Sequence, residues 1–185
     1  MPLIPFADTD ALPQSARDAF DKLPRKLNIF RMWANAPECF RQGLRLGGAI
    51  LGRQKLDADL RELLILLAAR IEGGTYEWVQ HVPIALACGC KQEQIDALEK
   101  ADLTAVCFDA REKDMLRFAD DVIRNVAASE ENVKTASAHF SPQEIVEIIL
   151  TCGFYMMMAR LTETTRVDVD APGGMAVLES LTKMR

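Results

Sequence analysis

The sequence predicts an all-α domain, and three observations carry that prediction. Apolar residues recur at helical spacing along nearly the whole chain, β-branched alternating runs are absent, and several helix starts are written out as capping signals. Asp59-x-x-Glu62, Asp109-x-x-Glu112 and Ser141-Pro142-x-Glu144 have the form of capping boxes. The last places proline at the first helical position, where its missing N–H is no loss. At 185 residues, 49% of them hydrophobic, the chain can bury a core as one domain without disulfides or metals.

Helices are expected near 13–22, 26–35, 37–51, 59–72, 75–88, 92–101, 109–127, 130–139 and 142–165. In the second, Trp33 is an anchor for the N-terminal segment or a subunit contact. Pro37 opens the third. Arg41, Arg45 and Arg53 stand near Gly43, Gly47, Gly48 and Gly52, but no strand precedes them and no G-K-[ST] follows, so they are not a phosphate loop. Small residues there let two helices approach closely. The fourth helix is apolar on almost every side after Glu62 and should be the buried centre of the domain. Gly73-Gly74 closes it and Thr75 caps the next, inside which Pro83 should introduce a kink. DADLRELLILLAA (57–69) and FSPQEIVEIILTC (140–152) echo one another, as a duplication or as two ordinary capped core helices. Met156-Met157-Met158 line a pocket or an interface, or simply pack the core. The organisation is an N-terminal helical extension (1–52), a core (53–166) and a loosely ordered tail (167–185) with a short helix at 175–183, within a single domain overall.

Charge and composition exclude some partners. A net charge of −5 and a pI near 5.1 leave no basic footprint for nucleic acid. The longest strongly apolar run, Leu63 to Ala69, is far below the roughly 20 residues of a membrane span, and the N-terminus lacks a secretory pattern. A cytoplasmic protein is expected, with no membrane partner. Cys39, Cys88, Cys90, Cys107 and Cys152 are odd in number and scattered, which suits reduced thiols.

The residues GGTYEWVQH (73–81) carry the chemistry. His81 shares a helical face with Glu77 and Trp78 one turn before it and with Cys88 two turns after it. If the helices flanking Gly73-Gly74 form an antiparallel pair, Glu62 lies about 16 Å and His81 about 10 Å from the turn, and a modest tilt brings Glu62, Glu77 and His81 into one pocket. Two carboxylates flanking an imidazole form an acid/base set. Three other readings compete: Glu62 as a helix cap only, Glu77 and His81 as a surface i,i+4 pair, and Glu62, Glu77 and His81 as ligands of zinc or iron. Catalytic metal sites more often hold two or three histidines, so no metal and no other cofactor is expected.

RELLILLAARIEGGTYEWVQHVPIALACGCKQEQIDAL (61–98) resembles the carboxymuconolactone decarboxylase family, which includes the alkylhydroperoxidase D (AhpD) type, with a weaker match in FYMMMARL (154–161). The resemblance implies an AhpD-like all-helical domain with a central buried helix. It also implies an obligate homo-oligomer, a trimer or hexamer, and a glutamate and histidine in a proton relay at Glu62 and His81. Peroxidase members carry C-x-x-C where this chain has Gly74 and Glu77. Neither residue can attack a peroxide or resolve a sulfenic acid. The implied activity is therefore a cysteine-independent acid/base reaction of the decarboxylase kind on a small carboxylated or lactone-type substrate. Glu62, Glu77 and His81 would be catalytic, and Tyr76, Trp78, Cys88 and Arg160 would contact the substrate. Arg160 or Arg70 would offset the charge of Glu77. The alternatives are a peroxiredoxin-type antioxidant using a thiol outside the motif, Cys88, and a non-catalytic oligomeric protein that binds a small molecule.

Overall fold

The computed structural model describes residues 1–173 and 175–176, and among them every regular element is a helix. After a short 3-10 turn at Thr9–Ala11 come α1 (Gln14–Asp21), α2 (Asn28–Trp33), α3 (Pro37–Arg53), α4 (Ala58–Glu72) and α5 (Thr75–Cys88). They are followed by α6 (Gln92–Glu99), α7 (Ala110–Asn125), α8 (Glu130–Ser137) and α9 (Pro142–Thr165). Beyond Ala176, the short helix expected at 175–183 lies outside the described residues.

The centre is α4, in which every side chain from Leu60 to Ala69 is buried. α5, α6, α7 and α9 pack around it, and α9 also touches α3 and α5. An apolar helix surrounded on all sides has no amphipathic face along its middle, and so two of its charged residues, Arg61 and Glu62, are buried with it. Capping boxes open α7 at Asp109/Glu112 and α9 at Ser141/Glu144. The third signal misleads: the N-cap position of α4 is Asp57, which makes no side-chain cap bond, and Glu62 bonds to side chains rather than to its own backbone. Gly73, with φ of 71°, ends α4 in the left-handed conformation, and its neighbour Gly74 occupies the cap position of α5 expected for Thr75. α5 continues through Pro83 to Cys88.

The N-terminal segment is part of the same core. The Trp33 indole is buried, packing edge-on against Phe40 and Phe154. It lies so close to α3 that a Cβ on Gly43 would come within 2.1 Å of its ring. The close approach expected of the small residues is thus made to an indole, and Trp33 is an internal anchor. α9 is 24 residues long and its most apolar 18-residue window has a mean hydropathy of 1.5, enough by length and composition to cross a bilayer. Here its buried side runs along α4, α5 and α7, while Val146, Ile149, Leu150 and Met157 form an exposed apolar stripe. The three consecutive methionines divide accordingly: Met158 lines a cavity, Met156 packs on the core and Met157 is exposed.

Candidate functional site

The Gly73-Gly74 turn folds α5 back along α4, and that hairpin brings Glu62 and His81 together across nineteen residues of sequence. His81 Nδ1 lies 2.8 Å from Glu62 Oε2. The other carboxylate oxygen, Oε1, accepts two hydrogen bonds from Arg61, from Nε and Nη2, both at 3.2 Å. Glu62 is wholly buried and Arg61 is 5% exposed, so the carboxylate is enclosed between a cation and an imidazole. A buried charge left alone would be very costly; here each partner offsets the other. With Nδ1 given to Glu62, the Nε2 edge is the part of the ring left to the cavity that His81 lines. Tyr155 packs edge-on against the imidazole at 4.9 Å between centroids and fixes its plane.

Glu77, one turn before His81, is also buried, at 2% exposure. Its carboxyl oxygens lie 3.2 Å from Thr162 Oγ1 on α9. Burial pushes its pKa up from 4.5 to about 7, only partly opposed by its own backbone amide, by Thr162 and by His81. A carboxyl so placed takes and gives a proton near neutrality. Space for it comes from Gly74, where a Cβ would come within 2.7 Å of Glu77 Oε2 and 2.9 Å of the Ala159 Cβ.

Over these groups lies a cavity of about 150 Å3, walled by apolar side chains of α2, α3, α5 and α9, among them Leu27, Trp33, Leu44, Ile84 and Phe154. Its polar lining includes Tyr76, Glu77, Gln80 and His81, and Tyr155 also stands in its wall. The chain after α9 returns to two of these polar residues. Asp170 Oδ2 accepts from Tyr76 Oη at 2.5 Å and from the Asn28 amide at 2.7 Å. Gln80 Nε2 donates to the Asp170 carbonyl and Gln80 Oε1 accepts from the Gly173 amide, each at 2.9 Å.

The other residues singled out in the sequence lie elsewhere. Trp78 lines a separate open groove beside the Gly73-Gly74 turn, with Arg70 and Glu99. Arg160 is largely exposed and pairs with Glu72 at 2.9 Å, while Arg70 donates to the Glu99 carbonyl, so neither offsets Glu77. Cys88 is half-buried, its Sγ 4.0 Å from Arg61 Nη2, and is not part of the cavity wall. Burial and the nearby Glu62 push its thiol up, and burial pushes Cys90 and Cys152 up to about 12, the opposite of an activated thiolate. His139 pairs with Asp114 at 3.2 Å; among the described residues no group of three His, Cys, Asp or Glu is arranged to hold a metal. Sequence reasoning missed Arg61, Thr162, Gln80 and Asp170. A charged residue adjoining Glu62 at the start of an otherwise apolar helix was the available signal for Arg61.

Residues 37–121, which include Glu62, Glu77 and His81, match the sequence profile of the carboxymuconolactone decarboxylase family. The matched region takes in α3 and most of α7. Solved structures share the AhpD-like fold over nearly the whole length. An uncharacterized peroxidase-related protein of Ralstonia eutropha with an alkylhydroperoxidase AhpD core is 22% identical, with 97% of this chain and 96% of that chain covered at a TM-score of 0.77. An uncharacterized peroxidase-related protein of Silicibacter sp. is 21% identical, with 92% of both chains covered and a TM-score of 0.78. The debrominase Bmp8, in complex with 2,3,4-tribromopyrrole, is 16% identical, with 99% and 97% covered and a TM-score of 0.70. At these identities the likeness is one of fold. None of the curated proteins matches the chain.

Proposed function

We propose that this carboxymuconolactone decarboxylase-like protein is a cysteine-independent acid/base enzyme acting on a small lactone-type or carboxylated molecule in the cavity over His81. The supporting observation is the 2.8 Å contact between His81 Nδ1 and a buried glutamate that is itself held by Arg61. That contact favours a proton on Nδ1 and a lone pair on Nε2, the form in which imidazole is a base. His81 Nε2 takes a proton from the substrate, and Glu62 offsets the positive charge that then develops on the ring. Protonated Glu77 supplies a proton to the oxygen on which the electron pair gathers; His81 then returns its own proton to the far carbon while Glu77 takes its proton back from the oxygen, which completes a shift of the double bond. With a carboxylated substrate, the bond to the carboxylate breaks, its electron pair passes into the enolate and carbon dioxide leaves. Glu77 then protonates the carbon.

The apolar stripe on α9 supports a homo-oligomer, and the five free cysteines favour a reducing cytoplasmic setting. A peroxidase at Cys88 is the weaker reading, because that thiol is raised rather than activated. The test compares wild type with His81→Ala on carboxymuconolactone-type substrates, following ultraviolet absorbance and carbon dioxide, and on simple lactones, following deuterium uptake from solvent. Turnover lost in the variant supports the reading. Turnover unchanged by the substitution refutes it, and binding without turnover in either protein assigns a binding role.

A further inference from the structure

We infer that the cavity over His81 takes an uncharged, mostly apolar molecule about the size of a single ring, which presents one hydrogen-bond donor or acidic C–H to His81, and that it rejects carboxylates. This rests on the proposed role of His81 as the working base and, of the two substrate classes proposed above, keeps the uncharged lactone type and drops the carboxylated one.

Size comes first. A dry cavity of about 150 Å3 lined by Leu, Ile and Phe is known to hold benzene, and this one has about the same volume and the same kind of wall. Charge comes next. No lysine or arginine is among the lining residues, whereas Glu77 is, and Glu62 lies directly behind the His81 ring. Arg61, the one buried cation among the described residues, already donates twice to Glu62. An entering carboxylate would lose its water and meet two carboxyl groups with no cation of its own.

The polar groups then fix what the ligand must offer. Both ends of the Gln80 amide are occupied by the tail, one by the Asp170 carbonyl and one by the Gly173 amide. Tyr76 Oη donates to Asp170 and accepts from the Ile29 amide. With Tyr76 and Gln80 engaged in this way, His81 and Glu77 retain capacity towards the cavity, whose wall also includes Tyr155 and Trp33. With Nδ1 turned to Glu62, His81 offers an acceptor at Nε2, which an O–H, N–H or acidic C–H satisfies. A ligand oxygen or nitrogen with a lone pair can take the second position, beside Glu77.

Two pairs of probes of equal shape test this by calorimetry on the full chain near neutral pH. Benzamide and benzoate differ in charge, and phenol and toluene differ in the donor. Benzamide should bind about 100-fold or more tightly than benzoate, since a charge buried without a partner is penalised by several kcal/mol. Phenol should bind more tightly than toluene in wild type and about equally in His81→Ala. Leu44→Phe and Leu51→Phe, two separate fillings of the wall, should abolish all binding, with helical circular dichroism confirming that each has folded. Benzoate binding as tightly as benzamide, no preference for phenol, or no binding of any probe to wild type would each overturn the inference. None of these results depends on turnover, so a failure of the proposed reaction is seen separately, as tight binding of the uncharged probes without chemistry.

Discussion

Replacing Glu77 with glutamine should make the protein more resistant to unfolding at alkaline pH and leave it little changed in mild acid. In the unfolded chain this carboxyl titrates near 4.5, and in the fold burial raises it to about 7. Below the unfolded value both states hold the proton and nothing is lost. Between the two values the unfolded state releases its proton while the folded state keeps it, so stability falls as pH rises. Above the folded value the whole interval is felt, worth about 3 kcal/mol at 1.36 kcal/mol per pH unit. Between about pH 5.5 and about pH 8.5 the change is about 2 kcal/mol, or a melting shift of roughly 4–8 °C for a domain of this size. Glutamine keeps the shape, retains a polar contact with Thr162 and does not titrate, so the difference of differences isolates the proton. Asp102, Asp121, Glu144 and Glu147 are held below their ordinary values, and their stabilisation is lost on the acid side, outside this window. Urea unfolding at the two pH values and one fixed protein concentration supplies the measurement. Parallel pH dependence of wild type and Glu77→Gln would refute the account of a carboxyl buried without a cation.

Glu62→Gln should destabilise by about 3 kcal/mol, because the Arg61 guanidinium loses its buried counter-charge. It should also lower the rate of any His81-dependent turnover by about 100-fold or more, measured as kcat beside the unfolding midpoint. Asp170→Asn weakens the tail where it meets Tyr76 and Asn28, and a loss of about 1–2 kcal/mol is expected, with faster hydrogen exchange at the Gly173 amide. Cys88→Ser should leave hydroperoxide consumption at background, and Cys88 in wild type should be alkylated slowly near neutral pH and faster as pH rises.

Local signals account for most of the fold and only part of the site. Helix starts at Asp109 and Ser141 are encoded within four residues each, and Pro37, Pro142 and Gly73 act on their immediate neighbours, so these boundaries are legible without tertiary information. Glu62 shows the limit of that logic. Its spacing from Asp59 has the form of a cap, but the helix begins at Ala58, with Asp57 at the cap position, and the buried side chain finds a partner nineteen residues away. His81 and Glu77 could be placed on one face because 3.6-residue periodicity is local. Arg61, Thr162 and Asp170 could not, since their contacts depend on how α4, α9 and the tail meet. Arg160 was misplaced for the same reason: position along α9 does not reveal which side faces α5, and it faces Glu72 instead.

Gly74 and Glu77 occupy the two positions where the peroxidase relatives are expected to carry cysteines, and the geometry makes their replacement one change rather than two. The Glu77 carboxyl occupies the space that a side chain at 74 would need, with its Oε2 only 2.7 Å from a Cβ built there, and Ala159 closes the other side at 2.9 Å. Restoring a thiol at 74 alone should therefore be poorly tolerated, with Gly74→Cys destabilising by about 1–3 kcal/mol through overpacking. Adding Glu77→Cys removes the carboxylate contact and should recover part of that loss, but not the part due to the Ala159 methyl. Unfolding midpoints of the single and double variants decide the point, because an additive outcome would mean that the two positions do not share a space. Coupling between them would mean that a small residue at 74 is what lets an acid stand at 77. The exchange of thiols for a carboxyl is then built into the packing of α5 against α9, and a single substitution cannot undo it.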